Sequence, residues 1–277
     1  MLSRMRHFLI LLTLSLPSLL LAQDTGWRFF PASPAFRPFV ASREEPHMGL
    51  QQHIGNSHLD VAVGAPFEIA RHEGQRDTVG LGAEFFAYAF SRTFGEYRFK
   101  IDAADGYFLV YASYRNRSPF SYRFRAIHLS AHLVDGYFDD IEGVWRTDRL
   151  PIAFSRNYLE ISSAFDPRIP ETISRLYLGG SYAVHVRPDN LQRWAALGGA
   201  EFAYPANPNL YAAYHISLKG TPEYTFTHNL EAGVKFGEWN GRGFRLFVTY
   251  HSGLNEYGQY YNEWTDYWTV GFWFDLW

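Results

Sequence analysis

The 277-residue chain contains no cysteine, which excludes disulfide bonds, thiolate nucleophiles and thiolate metal sites. Past its N-terminus it has no apolar run near the roughly 20 residues that a membrane-spanning helix requires. The formal net charge is only −3, so electrostatics gives no reason to expect nucleic acid as a partner. The chain also lacks a phosphate-binding glycine loop, a dinucleotide fingerprint and a zinc-protease motif, and we expect no cofactor. If the chain enters a membrane, only a closed β-barrel remains possible.

Residues 1–22 have the pattern of a secretory signal peptide. Arg4 and Arg6 form a basic end, an apolar run follows, and small residues precede Gln23. The pattern predicts cleavage before Gln23 and a mature protein outside the cytoplasm.

Residues 23–57 are irregular and rich in proline and phenylalanine. Proline removes donors from a strand ladder, so this is a poor place for a central strand. So many aromatic rings would nevertheless be costly to leave in water. We therefore predict an N-terminal arm or plug, packed on or inside the main body.

From residue 58 to the C-terminus, apolar and polar residues alternate with the period of two that is typical of strands. No segment has a convincing helical period. Twelve segments of about ten residues, the length that crosses a bilayer when tilted, are predicted as strands at about 58–71, 79–92, 97–104, 107–115, 121–133, 157–165, 173–187, 194–204, 210–219, 226–237, 243–252 and 266–276. The fold prediction is all-β: an antiparallel transmembrane β-barrel of about 12 strands, with 58–277 as the barrel domain.

Each predicted strand has one apolar face and one polar face, and the orientation of these faces separates a membrane barrel from a soluble one. The signal peptide, the tyrosines and tryptophans near strand ends and the charged residues on the polar faces favour apolar faces toward lipid. The polar faces are then predicted to line the lumen with His132, Arg175, His185, Arg187, Glu201, His215, Lys219, Glu231, Lys235, Arg245 and His251.

The last ten residues alternate strictly and end in an aromatic residue. They resemble the terminal strand by which outer-membrane barrels are recognised for assembly, with Gly271, Phe274, Leu276 and Trp277 at the signal positions. The resemblance implies the barrel-assembly machinery as a partner during biogenesis, outer-membrane lipid as the surroundings, and the bacterial outer membrane as the location. It leaves the oligomeric state open.

The stretch from His128 to Asp135 resembles the motif of the bacterial family called domain of unknown function 1207, His-x-Ser-Ser-His-x-x-Asp-Glu. Ala131 replaces the second serine and Gly136 the glutamate. The resemblance implies an outer-membrane barrel and supplies no established activity.

Within this motif, His128 and Ser130 are two residues apart on one predicted strand, roughly 6.5 to 7 Å, and point the same way. An imidazole so placed can act as the base of a serine nucleophile. The pair resembles that of outer-membrane phospholipase A and of the lipid A deacylase, both lipid esterases. A triad would need an orienting group such as Asp135, Glu160 or an asparagine elsewhere. The pair lies opposite the apolar face of its strand, however, and is expected to point into the lumen, where a lipid would not easily reach it.

Metal chemistry is not favoured, because His128 and His132 are roughly 13 Å apart along a strand and cannot hold one ion together. The acidic residues Asp139, Asp140 and Glu142 lack EF-hand spacing and are interpreted as a solvated loop.

Three functions stay open. The favoured one is a non-enzymatic envelope protein, either a structural barrel or a narrow passage for small solutes. The alternatives are a lipid esterase with His128 and Ser130, and a soluble periplasmic lipocalin-like barrel that binds an apolar ligand. The direction of the His128 and Ser130 side chains discriminates between them: outward at the rim favours lipid chemistry, and inward favours a scaffold or passage.

Overall fold

The computed structural model describes residues 26–94, 98–139, 141–145 and 149–277. The predicted signal peptide, 1–22, lies outside these ranges. No helix among the described residues is long and apolar enough to span a membrane. The strands are β1 Trp27–Phe29, β2 Gly49–His53, β3 His58–Gly64, β4 Glu68–Glu73, β5 Asp77–Phe94, β6 Arg98–Asn116, β7 Phe120–Leu133, β8 Phe138–Asp139, β9 Val144–Trp145, β10 Phe154–Phe165, β11 Ile173–Arg187, β12 Trp194–Tyr204, β13 Asn209–Gly220, β14 Tyr224–Gly237, β15 Gly243–Leu254 and β16 Trp264–Asp275.

The main sheet closes on itself, and every neighbouring pair of strands in it is antiparallel. The order around the wall is β2, β3, β5, β6, β7, β10 to β16 and back to β2. Strand β4 continues β3 along the same edge of β5 after a break that contains Pro66, which has no backbone donor for a ladder. The predicted antiparallel barrel of 12 strands is confirmed.

The wall has the predicted polarity on most of its strands. Leu178 is 70% exposed and Leu246 44%, so both lie on the outer surface. Glu231 and Lys235 are buried inside at 4% and 2%. Many other large apolar side chains are also exposed on the outside, for example Phe85, Val110 and Phe226, so this outer surface is suited to acyl chains.

The strand count agrees with the sequence prediction only because two errors offset each other. The predicted strands 97–104 and 107–115 are one long strand, β6, and Asp105 and Gly106, which separated them as a turn in the prediction, lie in its middle. Strand β2, which the prediction placed inside the arm 23–57, is a wall strand paired with β16 and β3. The barrel wall therefore begins at Gly49.

Residues 34–48 lie in the interior of the barrel. Phe39 is fully buried and stacks on Tyr177, with 3.8 Å between ring centroids. Glu45, also fully buried, accepts two hydrogen bonds from the guanidinium of Arg123, one of them 2.9 Å long. The backbone takes part as well: the Val40 amide donates to a Glu201 carboxylate oxygen at 2.9 Å.

Ion pairs from the wall complete the filling of the lumen. Near one end, the Arg245 guanidinium pairs with Glu231 at 2.8 Å and with Asp275 at 3.0 Å, and Lys235 pairs with Asp275 at 2.6 Å. Cavities of about 40, 60 and 30 Å³ remain where the interior residues meet, space for a few water molecules each.

The connections at the two ends of the barrel differ in length. The end that holds the C-terminus has turns such as 74–76 and 117–119, whereas the other has the segments 134–153 and 255–263. The second of these folds into the barrel mouth: Tyr257 and Tyr260 are buried, and the Gln259 amide donates to the Ala131 carbonyl at 2.7 Å.

The terminal strand β16 closes the wall against β2. Phe274 and Leu276 are exposed on the outer surface, at 43% and 47%, and Trp277 follows the strand. At Gly271 the two strands approach each other closely, since a Cβ atom there would lie 2.5 Å from the carbonyl oxygen of Leu50. The proposed assembly role of these positions stays a prediction.

Candidate functional site

Strand β7 carries its polar motif on the outside of the barrel. Arg125 is 1% exposed and Leu129 5%, so these alternate residues point inward, while His128 is exposed. The inward direction of these alternate residues is fixed nearer the start of the strand, where Arg125 donates to the buried Glu160 carboxylate at 2.8 and 2.9 Å. A strand without a bulge keeps this parity, so Ser130 shares the outer face with His128.

The sequence-based expectation that His128, Ser130 and His132 face the lumen is therefore wrong. The expectation was based on the apolar residues of the opposite face of the strand, which were assigned to contact with lipid. That set instead packs in the interior against the inserted segment 255–263: Ile127, Leu129, Ala131 and Leu133 belong to the same buried cluster as Tyr257 and Tyr260.

The His128 ring is held by a residue of the neighbouring strand. Asn157 of β10 lies opposite His128 in the register, and its Oδ1 atom is 2.5 Å from His128 Nδ1. An amide oxygen can only accept a hydrogen bond, so Nδ1 carries the proton and Nε2 is the basic nitrogen. This is the tautomer in which a histidine removes a proton from a serine.

The two acids considered for orienting His128 are elsewhere. Asp135 lies beyond the end of β7, where it begins a short 3₁₀ turn, Asp135–Tyr137, and is exposed. Glu160 is enclosed in the lumen with Arg125. The structure thus places Asp135 away from His128, whose ring bonds to Asn157 instead.

Ser130 has open space on one side because its neighbour on β6 is Gly106. A Cβ atom built on Gly106 would lie 3.9 Å from Ser130 Oγ and 3.9 Å from the Phe108 ring. On the other side Ser130 is opposite Ser155 of β10. The hydroxyl thus lies beside a gap in the outer surface.

The site lies at the margin of the apolar outer surface. Phe108, which is paired with His128 in the register, is 52% exposed, Leu159 is 43% and Val184 is 56% exposed. Nearer the start of β7, Tyr122 and Phe124 point outward. Acyl chains on this surface would therefore end next to the polar group of His128, Ser130 and Asn157.

A bulge between β10 and β11 changes which residues of β11 face outward. The register pairs Asn157 with His185 but Tyr158 with Ala183, so Val184 is the extra residue. Val184 and His185 are both exposed, Val186 is 7% exposed, and Arg187 is exposed again. Beyond the bulge the parity is reversed, so the prediction that His185 and Arg187 line the lumen is wrong.

The other predicted lumen residues lie on the inner side of the wall. Most take part in the ion pairs and hydrogen bonds that hold the arm and the strands together. His215 bonds to the Tyr177 hydroxyl at 3.0 Å, and Arg175 donates to the Arg37 carbonyl at 2.8 Å. The full set is Arg175, Glu201, His215, Lys219, Glu231, Lys235, Arg245 and His251.

Asn157 is the site residue that sequence reasoning did not single out. Its position could have been found from the pairing of β7 with β10, which aligns it with His128, but that pairing crosses the long connection 134–153. Among the described residues, no group of three or more histidine, aspartate or glutamate side chains is arranged to hold a metal ion.

Comparison with known proteins finds a family and several solved structures that this chain resembles. The profile of the family "Protein of unknown function (DUF1207)" matches residues 30–276. The structure of Escherichia coli outer membrane phospholipase A is 12% identical, with a TM-score of 0.48, and the match covers 87% of this chain and 94% of that one. The β domain of the Bordetella autotransporter BrkA is 11% identical, with a TM-score of 0.41, over 82% of this chain and 95% of that one. No curated protein matches in sequence.

Proposed function

Starting from a chain that belongs to the DUF1207 family, we propose that this barrel hydrolyses acyl esters of membrane lipids at its outer surface, in the bacterial outer membrane. One observation carries the proposal. His128 is bonded to Asn157 through Nδ1, on the same outward face as Ser130. A nucleophile, a base and an orienting group are thus grouped where lipid would contact the wall.

The reaction follows from these three groups. His128 Nε2 takes the hydroxyl proton as Ser130 Oγ forms a bond to the ester carbonyl carbon. The bond to the alcohol oxygen then breaks, and His128 returns the proton to the leaving lyso-lipid. Water, deprotonated by the same nitrogen, then attacks the acyl carbonyl carbon; the bond to Ser130 Oγ breaks, His128 returns the proton to that oxygen, and a fatty acid is released. Asn157 keeps the ring in one tautomer and orientation throughout.

Substrate access is supported by the apolar residues that adjoin the site. An acyl chain lying along Phe108 or Val110, both more than half exposed, would have its ester end near Ser130. The missing side chain at Gly106 leaves room for the carbonyl group. Since the longer connections of outer-membrane barrels are extracellular, the lipids within reach would be those of the outer leaflet.

The interior supports neither an open passage nor a lipocalin-like ligand cavity. The arm fills it, and its pairs are enclosed: Glu45 with Arg123 and Arg43 with Asp60. Between the arm and the wall, the described residues leave cavities of at most about 60 Å³, well below the size of a ligand pocket, while a space of about 620 Å³ opens at the end of the barrel that holds the C-terminus, among Arg71, Asn116 and Asp166.

The test uses the full-length protein in mixed micelles of detergent and phospholipid, with fatty-acid release as the assay. A sulfonyl fluoride with an acyl tail provides a second readout, because it labels an activated serine. Ser130→Ala should abolish both hydrolysis and labelling. Ser163→Ala is the matched control, since Ser163 lies on the outer face of β10 at a distance from Asn157, and it should keep both. Absence of turnover and labelling in the native protein, or their persistence in Ser130→Ala, would refute the proposal.

A further inference from the structure

The bulge next to Asn157 lies beside the proposed site and turns two basic residues toward it. Without the bulge, unbroken alternation from the inward Ala183 would place His185 and Arg187 inside the barrel. Bulges commonly re-aim side chains next to functional sites. Here Arg193 braces the bulge, since its guanidinium donates to the carbonyls of Ala183 and Val184 at 3.0 and 2.9 Å.

The register places the reoriented residues in line with the catalytic group. Ser155 is paired with Ser130 on one side and with Arg187 on the other, so the three lie in one row across the wall. At the usual spacing of neighbouring strands, the Cα atoms of Ser130 and Arg187 are roughly 10 Å apart. In the next row, His185 is the neighbour of Asn157.

A phosphate group fits this arrangement. In a phosphate-bearing acyl ester only a few atoms separate the phosphorus from the ester carbonyl, so with the carbonyl at Ser130 the phosphate is within reach of the Arg187 side chain. Arginine offers a planar set of donors that matches phosphate oxygens. A cation on the outer wall of a barrel is costly in the apolar band but favourable at the depth of lipid headgroups.

Arg187 already has one partner, Asp189, two residues along the chain. Both side chains are well exposed, at 53% and 77%, and such a pair contributes little in water. A phosphate can therefore replace the carboxylate of Asp189 at small cost.

We infer that Arg187, with His185 beside it, forms a phosphate-binding subsite, so that the substrates of the site are phosphate-bearing acyl esters. The inference rests on the proposed function only in calling these lipids substrates. Binding of the phosphate group is independent of hydrolysis. The phosphate could belong to a glycerophospholipid or to lipid A, and the experiment separates these two sources.

Binding is measured with Ser130→Ala protein in detergent micelles, where the lipid stays intact. The probes are phosphatidic acid and diacylglycerol with the same acyl chains, together with lipid A and its dephosphorylated form. Adding Arg187→Gln should weaken binding of a phosphorylated lipid about tenfold, as expected for loss of charge-assisted hydrogen bonds, and leave the two uncharged lipids unchanged. Asp189→Asn should strengthen binding of the same phosphorylated lipid by about two- to fivefold.

The matched control is Arg168→Gln, an exposed arginine in the turn between β10 and β11 at the opposite end of the barrel. It should change nothing. Selective loss for phosphatidic acid assigns glycerophospholipid, and selective loss for lipid A assigns lipid A. Unchanged binding of both phosphorylated lipids by Arg187→Gln, or equal loss for the uncharged lipids, overturns the inference. If the native protein shows no hydrolysis and the preference for phosphorylated lipids is present, the proposed function fails and the subsite stands.

Discussion

Replacing Asn157 by leucine should reduce turnover while leaving the barrel intact. Leucine has a similar volume but cannot accept the hydrogen bond from His128 Nδ1, so His128 loses both its fixed tautomer and its orientation. A hydrogen bond to a group that becomes charged during the reaction is worth about 1.5–3 kcal/mol, which corresponds to a loss of roughly 10- to 150-fold in kcat. KM should change little, because Asn157 is paired with His128 and is not the group that holds the acyl chain.

The assay is fatty-acid release from phospholipid micelles by the purified variant, with kcat and KM separated. Heat-modifiable migration on a gel serves as the check that the barrel has folded. Asn157→Asp is the matched variant, since aspartate retains the acceptor and should keep most of the activity. Full turnover by Asn157→Leu would refute the orienting role. An equal loss in both variants would show that the amide nitrogen, and not the oxygen, matters.

Three further results are expected. Gly106→Leu should lower hydrolysis at least about tenfold by covering Ser130, whereas Gly106→Ala should keep it because its Cβ makes only an ordinary contact at 3.9 Å; equal rates would contradict the role of the gap. Glu45→Gln leaves the buried Arg123 without its carboxylate, so the free energy of unfolding in urea should fall by about 3–5 kcal/mol, and a loss below about 1 kcal/mol would count against it. Burial alone would raise the pKa of Glu44, but the neighbouring cations outweigh it and lower the pKa to about 2. The stability from Glu44 is therefore complete above its ordinary pKa of 4.5 and is lost as the pH falls from there through about 2; protease protection of the arm should follow that course, and a loss between pH 8 and pH 5 would contradict it.

The barrel could be predicted from the sequence because alternation is a local property. On β13, Leu210 faces out and Tyr211 faces in, as a period of two requires. Position 105 was mistaken for a turn because aspartate followed by glycine favours turns wherever it occurs. The pairing of Asp105 with Tyr88 on β5 and with Ala131 on β7, which no local pattern reveals, shows that the strand continues.

The site could be predicted only in part. His128 and Ser130 were identified from spacing, but their direction was inferred from hydrophobicity, on the assumption that an apolar face contacts lipid. At Ile127 and Leu129 that assumption fails, because segment 255–263 supplies a local core inside the barrel. Arg125, in phase with Ile127, was the signal that could have corrected it, since a strand cannot direct arginine to the lumen and Ile127 to lipid without a bulge.

This reversal also changes the functional conclusion. The sequence analysis favoured a non-enzymatic barrel largely because a lumen-facing pair would be inaccessible to lipid. With His128 on the outer surface, that objection no longer applies. Two features that local sequence patterns do not show define the site: the pairing of β7 with β10 and the bulge at Val184.

The chain passes directly from the arm into β2, the strand that joins the C-terminal β16 to the rest of the wall. The arm enters and leaves the lumen at the end of the barrel that holds the C-terminus, since Arg37 donates to Asn240 and Asp166 there and Gly49 pairs with Trp273. The strand that closes the wall is therefore anchored from inside by the segment that precedes it. Withdrawing the arm from the closed barrel would require breaking its buried ion pairs, so we expect the arm to remain in the lumen.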